Sequence, residues 1–288
     1  MMCVMAILNY NDAGRARELA LKCSQYDIVE KIVIVDNRST DDSMDVLNQI
    51  YNSKIDVLQS DKNGGFSYGN NILGKYICRE YNPNFILYAN TDTIFEEYNI
   101  QQCIETMECH PDLGLISTRM KGSDGKEQLA AWKYSTYADH LLNSFWFHRK
   151  RYYINNQLKE KIYDNEFEYV DIVRGSFMLF RAKALKKAGF FDDNVFLYAE
   201  ETIIAKRLQS VGYHTGVLTS VWYIHNHIEK QKKRIDGYTD LKRMFASCYY
   251  YQSTYGKINL FQKVLLRICN QYGLFEQRVI DLIKNMRE

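Results

Sequence analysis

The sequence predicts an α/β protein built on a mostly parallel sheet flanked by helices. Three observations predict it. Short apolar runs alternate with segments of helical periodicity through the first half of the chain. The runs are apolar almost throughout, as in strands covered on both faces. Their C-terminal ends open into polar or glycine-rich turns, where parallel sheets place their ligands.

The elements follow in order. Residues 3–8 (CVMAIL) read as a strand, and 13–26 as a helix with Ala16, Leu19, Ala20 and Cys23 on one face. Residues 31–35 (KIVIV) are β-branched and read as a second strand. Thr40 and Asp41 can cap a helix that buries Met44, Val46, Leu47 and Ile50. A strand at 55–58 (IDVL), a helix at 67–81 and a strand at 85–89 (FILYA) come next. Asn99 to His110 is helical, and 113–117 (LGLIS) is again a strand. The stretch 127–165 is aromatic-rich, with Trp132, Phe145, Trp146, Tyr152 and Tyr153 among its rings. Residues 169–181 read as two strands around Gly175. A helix at 200–211 and a strand at 213–225 follow, and the tail from 238 is helical. In that tail Leu260, Phe261, Val264, Leu265, Ile268, Cys269, Tyr272 and Phe275 recur at three- and four-residue steps. Packing of this stripe on the domain is the favoured reading. Peripheral membrane contact through the C-terminal helices, and a homodimer, stay open.

Composition narrows the function classes. The chain has 288 residues, 46% hydrophobic and 25% charged, so it can bury a core and is not a disordered chain. Its 37 basic and 35 acidic residues leave a net charge of +2, so no nucleic-acid partner is expected. The seven cysteines are odd in number and include no CxxC pair, which fits free thiols in a reducing cytosol. The opening residues are apolar but lack a basic region, so they read as a strand rather than a signal peptide. No apolar run of about 20 residues is present, so no membrane span is expected. The 23 tyrosines point either to ligand surface or to compositional bias.

The strand ends carry the candidate chemistry. They are Asn9-Tyr10-Asn11-Asp12, Asp36-Asn37-Arg38-Ser39, Lys62-Asn63-Gly64-Gly65 and Asn90-Thr91-Asp92. Asp92 supplies a hard oxygen ligand of the kind Mg²⁺ or Mn²⁺ prefers. Glu200 and Glu201 end the run FFDDNVFLYAEE, in which four carboxylates interleave with aromatic residues. A general base in a partly apolar pocket has this composition, and so does a helix start that complements the dipole. His225 and His227 close the apolar strand VLTSVWYI. EKQKKR (229–234) reads as a solvated face, with diphosphate or anionic lipid as the alternative.

Taken together, LNYN (8–11), VDNRSTDDS (35–43), NGGFSYGNN (63–71), NTD (90–92), the segment 173–202 and His225 resemble the family 2 inverting glycosyltransferases. Within these they are similar to the rhamnosyltransferase-like branch. The resemblance covers roughly the first 225 residues. It implies a GT-A fold, with a Rossmann-like, mixed but mostly parallel central sheet and a helical C-terminal extension. It implies a glycosyltransferase domain over 1–228, with a nucleotide-binding half of about 1–118 and an acceptor and catalytic half of about 119–228. The extension is then 229–288. Asn9 and Tyr10 would line the nucleotide, Asp36 would read the base, and Asn63, Gly64 and Gly65 would let the backbone approach the nucleoside. Asn90-Thr91-Asp92 matches the DxD motif, with Asp92 as metal ligand and His225 completing the site. Glu200-Glu201 matches a Glu-Asp pair whose second member is the usual base. The acidic residue often found two positions later is Ile203 here. Arg174 and Gly175 would line the sugar pocket, and Trp132 would stack on a sugar or belong to the core.

The implied function is metal-dependent, inverting transfer of a sugar from a nucleotide-sugar donor (dTDP-rhamnose or a UDP-sugar). The acceptor would be a glycan or lipid-linked saccharide in surface polysaccharide synthesis, in the cytoplasm or on the inner membrane face. The competing readings are a catalytically impaired sugar- or partner-binding subunit and a nucleotidyltransferase. The latter lacks a Gly-rich, basic grip near the N-terminus.

Overall fold

The computed structural model describes residues 1–149, 165–226 and 237–285. These fall into two compact units. The first holds the residues up to Lys133, those from 165 to Asp193, and Glu200 to Asn226. The second holds Tyr134 to residue 149, Asn194–Ala199 and the residues from Gly237 onward.

The first unit is a helix–sheet–helix sandwich. Its chain runs β1 (Cys3–Asn9), α1 (Ala13–Cys23), β2 (Val29–Asp36), α2 (Ser43–Asn48), β3 (Ile55–Gln59), α3 (Phe66–Glu80) and β4 (Phe85–Asn90). It continues with β5 (Thr93–Ile94), α4 (Glu97–Cys109), β6 (Leu113–Gly122), β7 (Glu127–Gln128) and β8 (Ala131–Trp132). After the second unit's first segment come β9 (Phe167–Val170), β10 (Ile172–Val173), β11 (Phe177–Arg181) and α6 (Ala182–Ala188). The helix α7 (Glu200–Ser210) and the strand β12 (His214–His225) complete it. The sheet order is β3-β2-β1-β4-β11-β6-β12-β5. Neighbours are parallel from β3 through β4, and again between β6 and β12. The strand β11 runs antiparallel between β4 and β6, which makes the sheet mixed.

Alternation explains why these runs are apolar throughout. In β1, Cys3, Met5 and Ile7 face one core layer, with α1 and α4. Val4 and Ala6 face the other, with α3, α6 and α7. Both layers exclude water, so both faces of the strand need apolar side chains. At ~25 cal/mol per Å² this two-sided burial is the main driving force for the unit.

Three expectations need correcting. Residues 169–181 give three strands rather than two, because the break at Asp171 separates β9, on β12, from β10, on β8. Thr40 does not cap α2. Its backbone N–H donates to Asn11 Oδ1 at 2.8 Å, while Asp41 Oδ1 accepts from Ser43 N at 3.0 Å. Most of the apolar stripe of the tail faces solvent instead of packing, with Phe261 74% and Phe275 64% exposed, while Leu265 and Cys269 are half-buried.

The second unit is helical, with α5 (Tyr137–Asn143), α8 (Gly237–Thr254) and α9 (Leu260–Asn285). Leu241, Phe245 and Leu274 form its small core. The helix α9 packs by the face carrying Leu266 and Leu274, opposite the stripe. Among the described residues no helix is long and apolar enough to cross a membrane. Tyr152, Tyr153, His227 and the run at 229–234 lie outside the described residues.

Candidate active site

Parallel register brings the first candidates together. Asn9 and Asp36 are paired residues at the ends of β1 and β2. Both are fully buried, and Asn9 Nδ2 donates to Asp36 Oδ2 at 2.9 Å. Ser39 adds donors from its backbone N–H and its hydroxyl to the same carboxylate. A buried carboxylate is tolerable only with such donors. Asn9 Oδ1, beside Asp36, is buried and makes no hydrogen bond. Tyr10, next along, is 45% exposed.

The turn before α3 is built onto this corner. Asn37 Nδ2 donates to Asn63 Oδ1 and to the Gly65 carbonyl, each at 3.1 Å. Gly65 has φ +88°, which favours glycine. At Gly64 a Cβ would lie 2.3 Å from the Tyr68 ring, so a side chain there would displace the turn.

The second cluster lies where β4 ends. His225 Nε2 is 3.1 Å from Asp92 Oδ1. The strand β12 reaches this point by pairing with β5, where His225 is opposite Thr93. Asn226 N donates to the Asp92 carbonyl at 2.8 Å, which ties the two chain segments. Thr91 Oγ1 donates to Asp12 Oδ2 at 2.6 Å, linking the β4 turn to the loop after β1. A pocket of about 190 Å³ opens beside Asp92, lined by Arg15, Lys22, Ile94 and Asn226 among others.

Among the described residues no third His, Cys, Asp or Glu joins the Asp92–His225 pair. One carboxylate and one imidazole nevertheless suit a divalent cation of the Mg²⁺ or Mn²⁺ type. Such ions keep most of their coordination for water and substrate phosphates. The donor set therefore fits a metal shared with a diphosphate.

The third cluster joins β8, the turn after β10 and α7. Trp132 pairs with Ile172 across β8 and β10. The Arg174 guanidinium lies 5.7 Å from the Trp132 ring centroid, and its Nε donates to the Leu129 carbonyl. Gly175 N donates to Glu201 Oε1 at 3.2 Å. A Cβ on Gly175 would stand 2.8 Å from that oxygen, so glycine is what lets the carboxylate approach. Tyr198 and Ala199, just before the pair, have φ of +73° and +64°. Two non-glycine residues in that region mark a strained entry to α7.

The two glutamates differ. Glu200 is 7% exposed, and its Oε2 has no partner. Burial, and then the charge of Glu201, raise its pKa to about 8. Burial also raises Glu201, but its backbone bonds, the Arg174 charge and the Gly175 N–H oppose the rise. Glu201 is therefore the member better suited to carry charge at neutral pH.

The remaining two carboxylates of the acidic run do not join this pocket. Asp192 pairs with Arg207 at 3.0 Å, and Asp193 accepts from Asn71 Nδ2. Asn71 also binds both backbone groups of Phe191, at 2.9 and 3.0 Å. Ile203 is fully buried core. Asn37, Ser39, Asn71 and the Ser176–Tyr223 hydroxyl pair (2.7 Å) were missed as site supports. The first three lie inside the quoted motifs, but the partners of Asn37 and Asn71 are far away in sequence, and Ser39 joins its neighbour Asp36 to the distant Asn9 and Asn11. Asn90 N donates to the Ser176 carbonyl at 3.0 Å, joining the end of β4 to the residue after Gly175.

The family model described as glycosyl transferase family 2 matches residues 7–189. Over 167 residues the chain is 28% identical to the rhamnosyltransferase WbbL of Escherichia coli strain K12, covering 56% of this chain and 60% of WbbL. Over 220 residues it is 24% identical to the low-salt glycan biosynthesis hexosyltransferase Agl10 of Haloferax volcanii, covering 76% of this chain and 66% of Agl10. The chain thus spans less than two thirds of the length of either relative. Its fold matches that of the mannosyltransferase PcManGT from Pyrobaculum calidifontis, solved with GDP-Man and Mn²⁺. That match has a TM-score of 0.59 at 12% identity and covers 96% of this chain and 73% of that one.

Proposed function

The chain belongs to the family 2 glycosyltransferases, and from that premise we propose that it transfers a sugar from a nucleotide-sugar donor to an acceptor hydroxyl with inversion. One observation carries the reading. Asp36, the Asp92–His225 pair and the Gly175–Glu201 contact, each from a different motif, lie in one unit on adjoining turns. In this reading residues 1–228 perform the transfer, and 229–288 is an extension that carries the helices α8 and α9.

Asp36 and Asn9 offer acceptors to the N–H of a pyrimidine base, and Gly64-Gly65 let backbone approach the nucleoside. Asp92 and His225 would hold a divalent cation, which when bound neutralises charge on the leaving diphosphate. Arg174, Gly175 and Trp132 line the sugar. Glu201 accepts the proton of the acceptor hydroxyl. The acceptor oxygen forms its bond to the anomeric carbon on the face opposite the nucleotide. The bond from that carbon to the diphosphate oxygen breaks, and the electron pair leaves with the nucleoside diphosphate. The donors that fit the branch are dTDP-rhamnose and UDP-sugars, and the acceptor is a glycan or lipid-linked saccharide of surface polysaccharide synthesis.

The test is transfer from a panel of nucleotide sugars with Mn²⁺ or Mg²⁺. Glu201→Gln should lower kcat by roughly 10²–10⁴ while donor binding persists. Asp92→Ala should weaken donor binding only when metal is supplied. Full turnover in both variants refutes the site.

A further inference from the structure

The last helix exposes more apolar surface than its own packing uses. Leu260 and Phe261 are 78% and 74% exposed, and Val264, Ile268, Tyr272 and Phe275 lie between 49% and 64%. The series continues through Val279 and Leu282. At about 100° per residue these positions fall within an arc of about 120°. The opposite face is already occupied. Asn270 accepts from Ser144 Oγ at 2.8 Å, and a Cβ on Gly273 would strike the Ser144 carbonyl. That contact brings a second strip of apolar surface alongside. The Phe145 ring lies 5.7 Å from the Tyr272 ring, and the next residues, Trp146 and Phe147, are 40% and 64% exposed.

We propose that this face docks on an anionic lipid bilayer, with α9 lying in the plane of the interface. The composition is that of an interfacial helix: an apolar face rich in aromatic rings beside a border of basic residues. Arg267 and Arg278 form that border, steadied by Tyr249 and Tyr238, whose ring centroids lie 5.2 and 4.3 Å from the guanidinium carbons. Of the two acidic residues of the helix, Glu276 lies at the edge of the arc away from the arginines and accepts from Trp146 N, and Asp281 accepts from Gln277. The basic border therefore complements lipid phosphates.

A second copy of the chain fits less well. The arc carries bulky Phe and Tyr at seam positions where dimers favour Leu, Ile and Val. An antiparallel pair would set the basic border against itself. A parallel pair would offer it Glu276 alone.

The experiment is co-sedimentation of the full chain with phosphatidylcholine vesicles, with and without about one third phosphatidylglycerol. Binding should require phosphatidylglycerol and weaken in high salt. The triple variant Phe261→Ser, Ile268→Ser, Phe275→Ser should reduce partitioning by roughly tenfold or more. Its melting temperature and its response to nucleotide should match the parent, which separates docking from folding and from catalysis. Arg267→Gln with Arg278→Gln leaves the apolar face intact and should lower binding to the anionic vesicles alone. Absence of binding to anionic vesicles overturns the proposal. So does equal binding by parent and triple variant, or a parent dimer that the triple variant splits while vesicles capture neither.

Discussion

Glu200 and Glu201 are adjacent, yet their surroundings act on them differently. Glu201 receives the Gly175 N–H and the field of Arg174. Glu200 receives neither, and its Oε2 is buried without a partner. Its folded-state pKa, about 8, lies above the unfolded carboxylate value. Protonation therefore favours the folded state. The stability from this group is fully present below the unfolded pKa and is lost as pH rises through about 8. Glu200→Gln should consequently match the parent in melting temperature near pH 5 and exceed it near pH 9. Thermal denaturation across that range checks this, and an equal gap at both ends would mean that Glu200 does not titrate.

At the scale of elements, α3 does more than cover the sheet. Through Asn71 it grips the backbone of Phe191 on both sides, holding the segment that leads toward α7. Asn71→Ala would leave the buried Phe191 N–H unpaired, at about 1–3 kcal/mol, while the Phe191 carbonyl keeps the bond it accepts from Arg207 Nη1 at 3.0 Å. The melting temperature should fall by several degrees. Reduced turnover should accompany the fall if the grip also positions the glutamates. The main strands were legible because burial on both faces demands unbroken apolar runs, as in KIVIV. The two-residue strands β5, β7, β8 and β10 were not, since two residues carry no period. The antiparallel insertion of β11 depends on partners far along the chain. The candidate site was legible where strand ends and motif order pointed to the same residues, at Asp36 and Asp92, whereas motif order alone pointed to the Glu200–Glu201 pair and left its two members open. It was not legible at Asp192 and Asp193, whose structural roles depend on Arg207 and Asn71. The tail's periodicity revealed an apolar face, but not that the helix packs by the other one.

At the scale of the molecule, the candidate groups sit on strand ends whose register the sheet holds. A ligand bound there stabilises only the folded state. A matching nucleotide with Mn²⁺ at about a hundred times its Kd should add roughly 2.7 kcal/mol, readable as a rise in melting temperature. His225→Ala should lose the part of that rise that depends on metal. The contact between Asp92 and His225 also spans 133 residues. A ribosome that has released β4 has made half of the pair and must still produce nearly half of the chain before the other half exists. Chains that stop early, or are clipped ahead of β12, can fold their first strands and still lack the imidazole. Completion of the Asp92–His225 contact is thus a late event in the making of each molecule.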